Sequence, residues 1–259
     1  MSELIKNKSE FLELEMVHGV PKVVWCFWSG EKMKDSRALS FRMMREHIGV
    51  PVCLVTPENL EQFILKDFPL HSAFPLLSAV HQSDYIRAYL LHHYGGAWHD
   101  VKATEVSFAE VWKEFLNPQV YMVGKPEIDG GPARIHDEDG RWMPDLWREL
   151  ISVVSWIGRA NTPISKALIE NMEAYLEENL DLLKKFPGTH PREKKIETNN
   201  FFSRNLKKIT YRIQGRNVNY PLPWTVFGNI FHPLNYRFRK NILKTLPVDT
   251  IKNAGVYHR

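Results

Sequence analysis

Two short apolar runs, Lys22–Trp28 and Val50–Thr56, each followed by helical spacing, constrain this chain most. The first reads Lys-Val-Val-Trp-Cys-Phe-Trp, rich in β-branched and aromatic residues. An apolar run this short, opened by Pro21 and ended by Ser29-Gly30, predicts a buried strand rather than a helix. Helices are predicted over 35–48, where Gly49 stops the pattern, and over 57–67. Ser72 to Tyr94 is the clearest helical region. Leu77, Val80, Asp84, Arg87 and Leu91 recur every three or four residues and share one face. Gly95-Gly96 ends it as a C-cap would. Ala97 to Ala103 and Gln119 to Gly124 then read as strands. The order strand, helix, strand, helix, helix, strand, strand implies an α/β chain with a mostly parallel sheet in its first half. Ligands in such sheets bind beyond the carboxyl ends of the strands, so residues following Trp28, Thr56 and Ala103 are site candidates.

The remainder carries weaker signals. Residues 1–19 read as an amphipathic helix and 125–145 as a polar surface loop. Helices are predicted over 145–159 and 163–185, the second opening on Pro163 after Thr162. The C-terminal third reads as short β-like pieces, loops and one helix. A length of 259 residues suits one domain, and 44% hydrophobic with 25% charged residues excludes wholesale disorder or a coiled coil. Cys26 and Cys53 have no metal or disulfide spacing, and both lie in apolar runs as buried thiols, which suits a reducing, cytoplasmic compartment. The charged N-terminus carries no leader-like apolar core. The longest uncharged stretch, Asn217 to Tyr236, contains three Pro and four Asn and is not expected to span a bilayer. Charge is uneven: residues 192–244 hold twelve Lys and Arg against two acids, while the whole chain carries only +4. Such a surplus suits a solvated basic face, an anionic membrane, a phosphorylated substrate or nucleic acid.

The residues able to carry chemistry concentrate between positions 83 and 102. Ser83-Asp84-Tyr-Ile-Arg87 places an acid and a base one turn apart on an otherwise apolar face. They form either an intrahelical ion pair or a pair that grips ligand hydroxyls. Strand alternation would put Asp100 and Lys102 on one face and turn His99 away as a structural residue. Trp25 and Trp28 face opposite sides of their strand. Trp28, beside Ser29 at the strand end, is better placed to stack on a ring. Asp129, Asp137, Glu138, Asp139 and Asp145 lie in the polar loop, and Asp145 or Asp129 is the choice for an acceptor contact.

Together, Ser83-Asp84-x-x-Arg87 and Tyr94-Gly95-Gly96-Ala-Trp98-His-Asp100-Val-Lys102 resemble the nucleotide-sugar motif of glycosyltransferase family 32, especially its capsular polysaccharide synthesis branch. Val20-Pro21-Lys22-Val-Val-Trp25-Cys-Phe-Trp28-Ser-Gly30 resembles that family's first strand. The likeness covers residues 18–105. It implies a GT-A-like (Rossmann-like) mixed sheet flanked by helices, with a helical and loop-rich C-terminal part. It implies a donor half over about 18–125 and an acceptor-side, basic part over about 126–259. It further implies a glycosyltransferase using a nucleotide sugar, a UDP-sugar above all, with retention of configuration. Carried over by position, Trp28 stacks on the base, Asp84 and Arg87 hold donor-sugar hydroxyls, and Asp100 is the first acid of a DXD element. Ser29, Ser83, Gly95 and Gly96 line the donor site. Lys252, Tyr257 or His258 are candidates near the leaving group, and His232 and His258 lie among C-terminal aromatic and basic residues.

The sequence departs from the family at Lys102, where a second Asp would ligate Mn²⁺ or Mg²⁺. An ammonium repels a hard cation. Either Asp100 alone holds the metal, or Lys102 itself neutralises the diphosphate, or the fold binds without catalysis. The expected partners are a nucleotide sugar, a glycan or lipid-linked glycan acceptor, and an anionic membrane met peripherally at its inner face. Against a nucleic-acid partner, the basic third has no matching motif.

Overall fold

Trp25 and Phe27 point to one side of their strand, Val24 and Cys26 to the other, and each side is covered by its own apolar cluster. The computed structural model describes residues 1–29, 32–132, 135–136, 141–198 and 200–249. In chain order its elements are β1 (Leu4–Ile5), α1 (Lys8–Leu12), β2 (Met16–Val17), β3 (Val20–Pro21) and β4 (Val24–Phe27). Then follow α2 (Asp35–His47), β5 (Val52–Val55), α3 (Ala79–His93), β6 (Gly96–His99), β7 (Met122–Pro126) and β8 (Ile151–Gly158). The chain closes on α4 (Pro163–Glu178), α5 (Leu180–Lys185), α6 (Phe201–Ile213), α7 (Val226–Arg237) and β9 (Ile242–Leu243).

Seven strands form one sheet in the order β1-β5-β4-β6-β8-β7-β9, while β2 and β3 make a separate hairpin. β1, β5, β4 and β6 pair in parallel, β8 runs antiparallel to both β6 and β7, and β9 is parallel to β7. The protein is therefore a mixed α/β sheet flanked by helices. One face carries α3, α4 and α7, packed against Trp25, Phe27, Trp98 and Trp156. The other is covered by α2 and a 3₁₀ helix, Ala109–Leu116, over Val24, Cys26, Val52 and Ala97. Strands from both halves of the chain share this sheet.

The order has a direct consequence. The chain moves from β4 outward to β5, then returns through α3 to place β6 on the opposite side of β4. The strand order thus reverses between β4 and β6, and a crevice opens beyond their carboxyl ends.

Several sequence-based expectations need correction. Residues 145–159 are not a helix: 144–149 form a 3₁₀ turn and Ile151–Gly158 is β8. Four β-branched residues, Ile151, Val153, Val154 and Ile157, favour that antiparallel strand. Residues 1–19 are not one helix either. Leu4–Ile5 is an edge strand on β5, and the helical part is only Lys8–Leu12. The segment 57–67 contains only the 3₁₀ turn Leu60–Phe63. The strand expected to reach Ala103 stops at His99. The C-terminal third contains two helices, α6 and α7, rather than one. Pro163 does open α4, where Thr162 and Ser165 form a reciprocal cap.

Candidate active site

Beyond the ends of β4 and β6 lies a cavity of about 800 Å³. Trp28 and Ser29 reach it from β4, Asp100 and Lys102 from β6, and Ser83, Asp84 and Arg87 from α3. Val153 of β8, Thr225 and Phe227 at the start of α7, and Arg192 complete the walls.

Its floor is a chain of charges. The Arg87 guanidinium lies 2.9 Å from Asp84 and 3.6 Å from Asp100, and Lys102 lies 3.6 Å from the other oxygen of Asp100. Arg87 also donates to the Val153 carbonyl at 2.9 Å and packs over the rings of Trp98 and Phe227. The Trp98 indole donates to Asp100 at 3.0 Å. Asp84 and Arg87 are both buried, which unpaired charges do not tolerate. The ion-pair reading therefore holds, and the pair also lines the cavity.

Although β6 ends at His99, Asp100 and Lys102 still meet on one side. The Asp100 amide bonds to the Val154 carbonyl, and the Lys102 amide turns back to the Asp100 carbonyl. Local turn geometry rather than strand alternation brings them together. His99 points to the opposite face, buried and stacked on Phe108, and burial lowers its pKa to about 4. It is a neutral core histidine.

Burial raises the pKa of Asp84 from 3.8 to about 6, with Arg87 opposing and Asp100 reinforcing the shift. Burial also pushes Asp100 up, but Arg87, Lys102 and the Trp98 indole outweigh it and hold it low. For Lys102, burial lowers the pKa and Asp100 opposes the change. Between 3.8 and about 6, folded Asp84 keeps a proton that the unfolded chain has released. Stability is therefore lost as pH rises through this window. Asp84→Asn is expected to flatten the pH profile of the unfolding free energy there. Urea unfolding at a series of pH values reads this directly, and parallel profiles for the two proteins would contradict it.

The structure separates the other sequence candidates. Trp25 is core, its indole bonded to the Gly95 carbonyl at 2.8 Å, whereas Trp28 is half-buried at the cavity with Arg37 near its ring. Gly95 and Gly96 do not line the cavity. They occupy the α3–β6 turn at the opposite end of β6, with φ of +71° and +93°. A Cβ on Gly95 would lie 2.8 Å from the Ala160 nitrogen and 2.9 Å from the Gly158 oxygen. Gly95→Ala is thus expected to cost roughly 2 kcal/mol of stability and leave the affinity of any cavity ligand unchanged. Weakened binding at unchanged stability would return the glycines to the site. Asp145 is also displaced: it is exposed, paired with Arg148 at 2.6 Å, and outside the cavity wall, as is exposed Asp129. His232 does line the cavity, 3.3 Å from buried Glu127. Gly30, Asp137, Glu138, Asp139, Lys252, Tyr257 and His258 lie outside the described residues.

Lys32, Lys34, Arg37 and Arg192 also reach the cavity, and none was singled out from the sequence. Lys32, Lys34 and Arg37 had a readable cue: cations in the first residues after a strand that ends at a binding crevice. Arg192 joins from the distant basic segment 192–244, whose charge surplus was its only cue. Together with Lys102 they make the cavity strongly cationic.

The donor set at Asp100 does not fit a resident divalent cation. A hard cation held at one carboxylate takes its other oxygens from phosphates and water, and here that carboxylate, Asp100, is already engaged by Arg87, Lys102 and Trp98. Among the described residues no three His, Cys, Asp or Glu converge on a metal position.

A family model described as capsular polysaccharide synthesis protein matches residues 5–219. A search of curated proteins gives no match. Among solved structures the chain is similar to the PaToxG glycosyltransferase, at 13% identity, covering 89% of this chain and 88% of that one with a TM-score of 0.32.

Proposed function

The chain belongs to the capsular polysaccharide synthesis protein family, and from that premise we propose that it is a glycosyltransferase. Its donor is a nucleotide sugar, bound in the crevice between β4 and β6, and its acceptor is a growing surface glycan. The carrying observation is the Asp84–Arg87–Asp100–Lys102 chain at the point where the strand order reverses.

Each part of the cavity suits one part of such a donor. Trp28 offers a ring face to the base. Lys102, Arg37 and Arg192 offer charge to a diphosphate. Asp84 and the Arg87 guanidinium, anchored to each other, can accept from and donate to sugar hydroxyls. The resemblance of Ser83 to Lys102 to the family 32 motif adds UDP as the carrier and retention at the anomeric carbon. It also supports reading the fold as GT-A-like.

Transfer breaks the bond from the anomeric carbon to the phosphate oxygen and forms one from that carbon to an acceptor hydroxyl oxygen; the electron pair leaves with the diphosphate, which takes up the hydroxyl proton. Charge develops there in the transition state, so fixed cations aimed at that oxygen accelerate the step. In the family 32 motif that this segment resembles, two acids hold a metal at this point. Here Lys102 replaces the second acid, and in our proposal it supplies the charge directly. A second reading, a chain that binds the donor without turnover, draws on the same saturated Asp100. Radiolabelled sugar release and transfer from a UDP-sugar panel separates the two: binding with no release favours the second. No binding of any nucleotide sugar would overturn both.

A further inference from the structure

We infer that α6 docks the protein on the surface of an anionic lipid bilayer. The helix spans Phe201 to Ile213, and Tyr211 is its one buried residue. Phe202, Leu206, Ile209 and Ile213 are spaced four, three and four apart, so they form one stripe. Their exposures are 82%, 66%, 53% and 81%. On the helical wheel this stripe lies opposite Tyr211, so it points straight away from the protein. Phe201, 71% exposed, adds a further apolar side chain at the helix start, about 100° round from Phe202. Five large apolar side chains on one short helix exceed the scattered exposure normal for a surface.

The charge on the helix selects the occupant. α6 carries Arg204, Lys207, Lys208 and Arg212 and no acid. On the same wheel Arg212 borders the stripe, while Arg204, Lys207 and Lys208 lie towards Tyr211, from where their long side chains can reach up to headgroups. A helix with an apolar face and flanking cations lies in the plane of a bilayer interface, the apolar face sunk among acyl chains and the cations at anionic headgroups. The surrounding segment reinforces this, with its ten-charge surplus over residues 192–244. No helix among the described residues is long and apolar enough to cross a membrane, so contact through α6 is superficial. The position suits the cavity as well. α6 is an excursion between two stretches that line it, His190–Arg192 and Trp224–His232. A docked α6 therefore holds the cavity near the membrane surface.

The test is vesicle flotation of the full chain, which needs no turnover and no donor. Vesicles of phosphatidylcholine alone are compared with an equimolar mixture of phosphatidylcholine and phosphatidylglycerol. Wild type is expected to float with the anionic vesicles only, and less at high salt. Phe202→Ser with Leu206→Ser is expected to weaken partitioning at least about tenfold. Lys207→Gln with Arg212→Gln is expected to weaken it by about thirtyfold, from roughly a kcal/mol per cation near such a surface. All four residues are exposed, so melting temperature and nucleotide binding in solution should match wild type. Equal flotation on both vesicle types, no flotation on either, or serine variants that float like wild type would overturn the inference. So would a dimer in solution that these serine substitutions dissolve, since a second copy would then be what covers the stripe. Each of those results leaves the donor-site proposal standing.

Discussion

Arg87→Ala is expected to destabilise the fold by roughly 3–5 kcal/mol, the cost of stranding buried charges by removing their partner. Arg87 is the shared cation of Asp84 and Asp100, at 2.9 and 3.6 Å, and its guanidinium also satisfies the Val153 carbonyl. Its loss leaves two carboxylates near each other in a buried setting, with Lys102 and the Trp98 indole still at Asp100 but no cation beside Asp84 in place of Arg87. For a chain of this size the melting temperature should fall by roughly 10 °C. Adding Asp84→Asn should recover part of the loss, because the two residues are in direct contact and their effects are not additive. Arg87→Lys should rescue poorly: an ammonium cannot span both carboxylates and the carbonyl as a planar fork does. Chemical denaturation of the single and double variants gives the answer. A single variant within about 1 kcal/mol of wild type would mean that this chain of charges is solvated and contributes little.

Lys102→Ala is expected to act in the opposite way, with small cost to stability and large cost to transfer. Lys102 lies 3.6 Å from Asp100, which keeps Arg87 and the Trp98 indole as partners when Lys102 is gone. If Lys102 neutralises the departing diphosphate, its removal should lower kcat by about 10²–10³, the effect of deleting one preorganised electrostatic contact. Lys102→Asp should go further and make diphosphate binding depend on added Mn²⁺, since two carboxylates then flank the position. Steady-state kinetics with and without Mn²⁺ reads both variants. Transfer by Lys102→Ala at the wild-type rate would remove Lys102 from the chemistry.

Local signals carried the fold as far as local physics decides it. β4, α2, β5, α3 and α4 were legible because a short apolar run or a face repeating every three or four residues determines them alone. β8 was not. Its sequence, Ile-Ser-Val-Val-Ser-Trp-Ile-Gly, is covered on both faces, so it shows no strict alternation. Only pairing between β6 and β7, distant in sequence, makes it a strand. The edge strand Leu4–Ile5 likewise depends on β5.

The site divides the same way. Trp28, Asp84, Arg87, Asp100 and Lys102 could be read because chemistry and spacing coincide within two short segments. Gly95 and Gly96 were misplaced because a glycine needed for a left-handed turn looks, in sequence, like one that lets a phosphate approach. Arg192 and His232 come from the far end of the chain. Only the packing of α7 on α3 and β8 shows that this end closes over the cavity.

The central claim is that a cationic crevice, with Lys102 in place of a metal-binding acid, holds the diphosphate of a nucleotide sugar. Calorimetric titration of UDP and UDP-sugars tests it most directly, once in EDTA and once in Mn²⁺. The account predicts binding in EDTA with an affinity that Mn²⁺ leaves unchanged, and loss of that binding in Lys102→Ala. Binding seen only with Mn²⁺, or no binding in either condition, would contradict it.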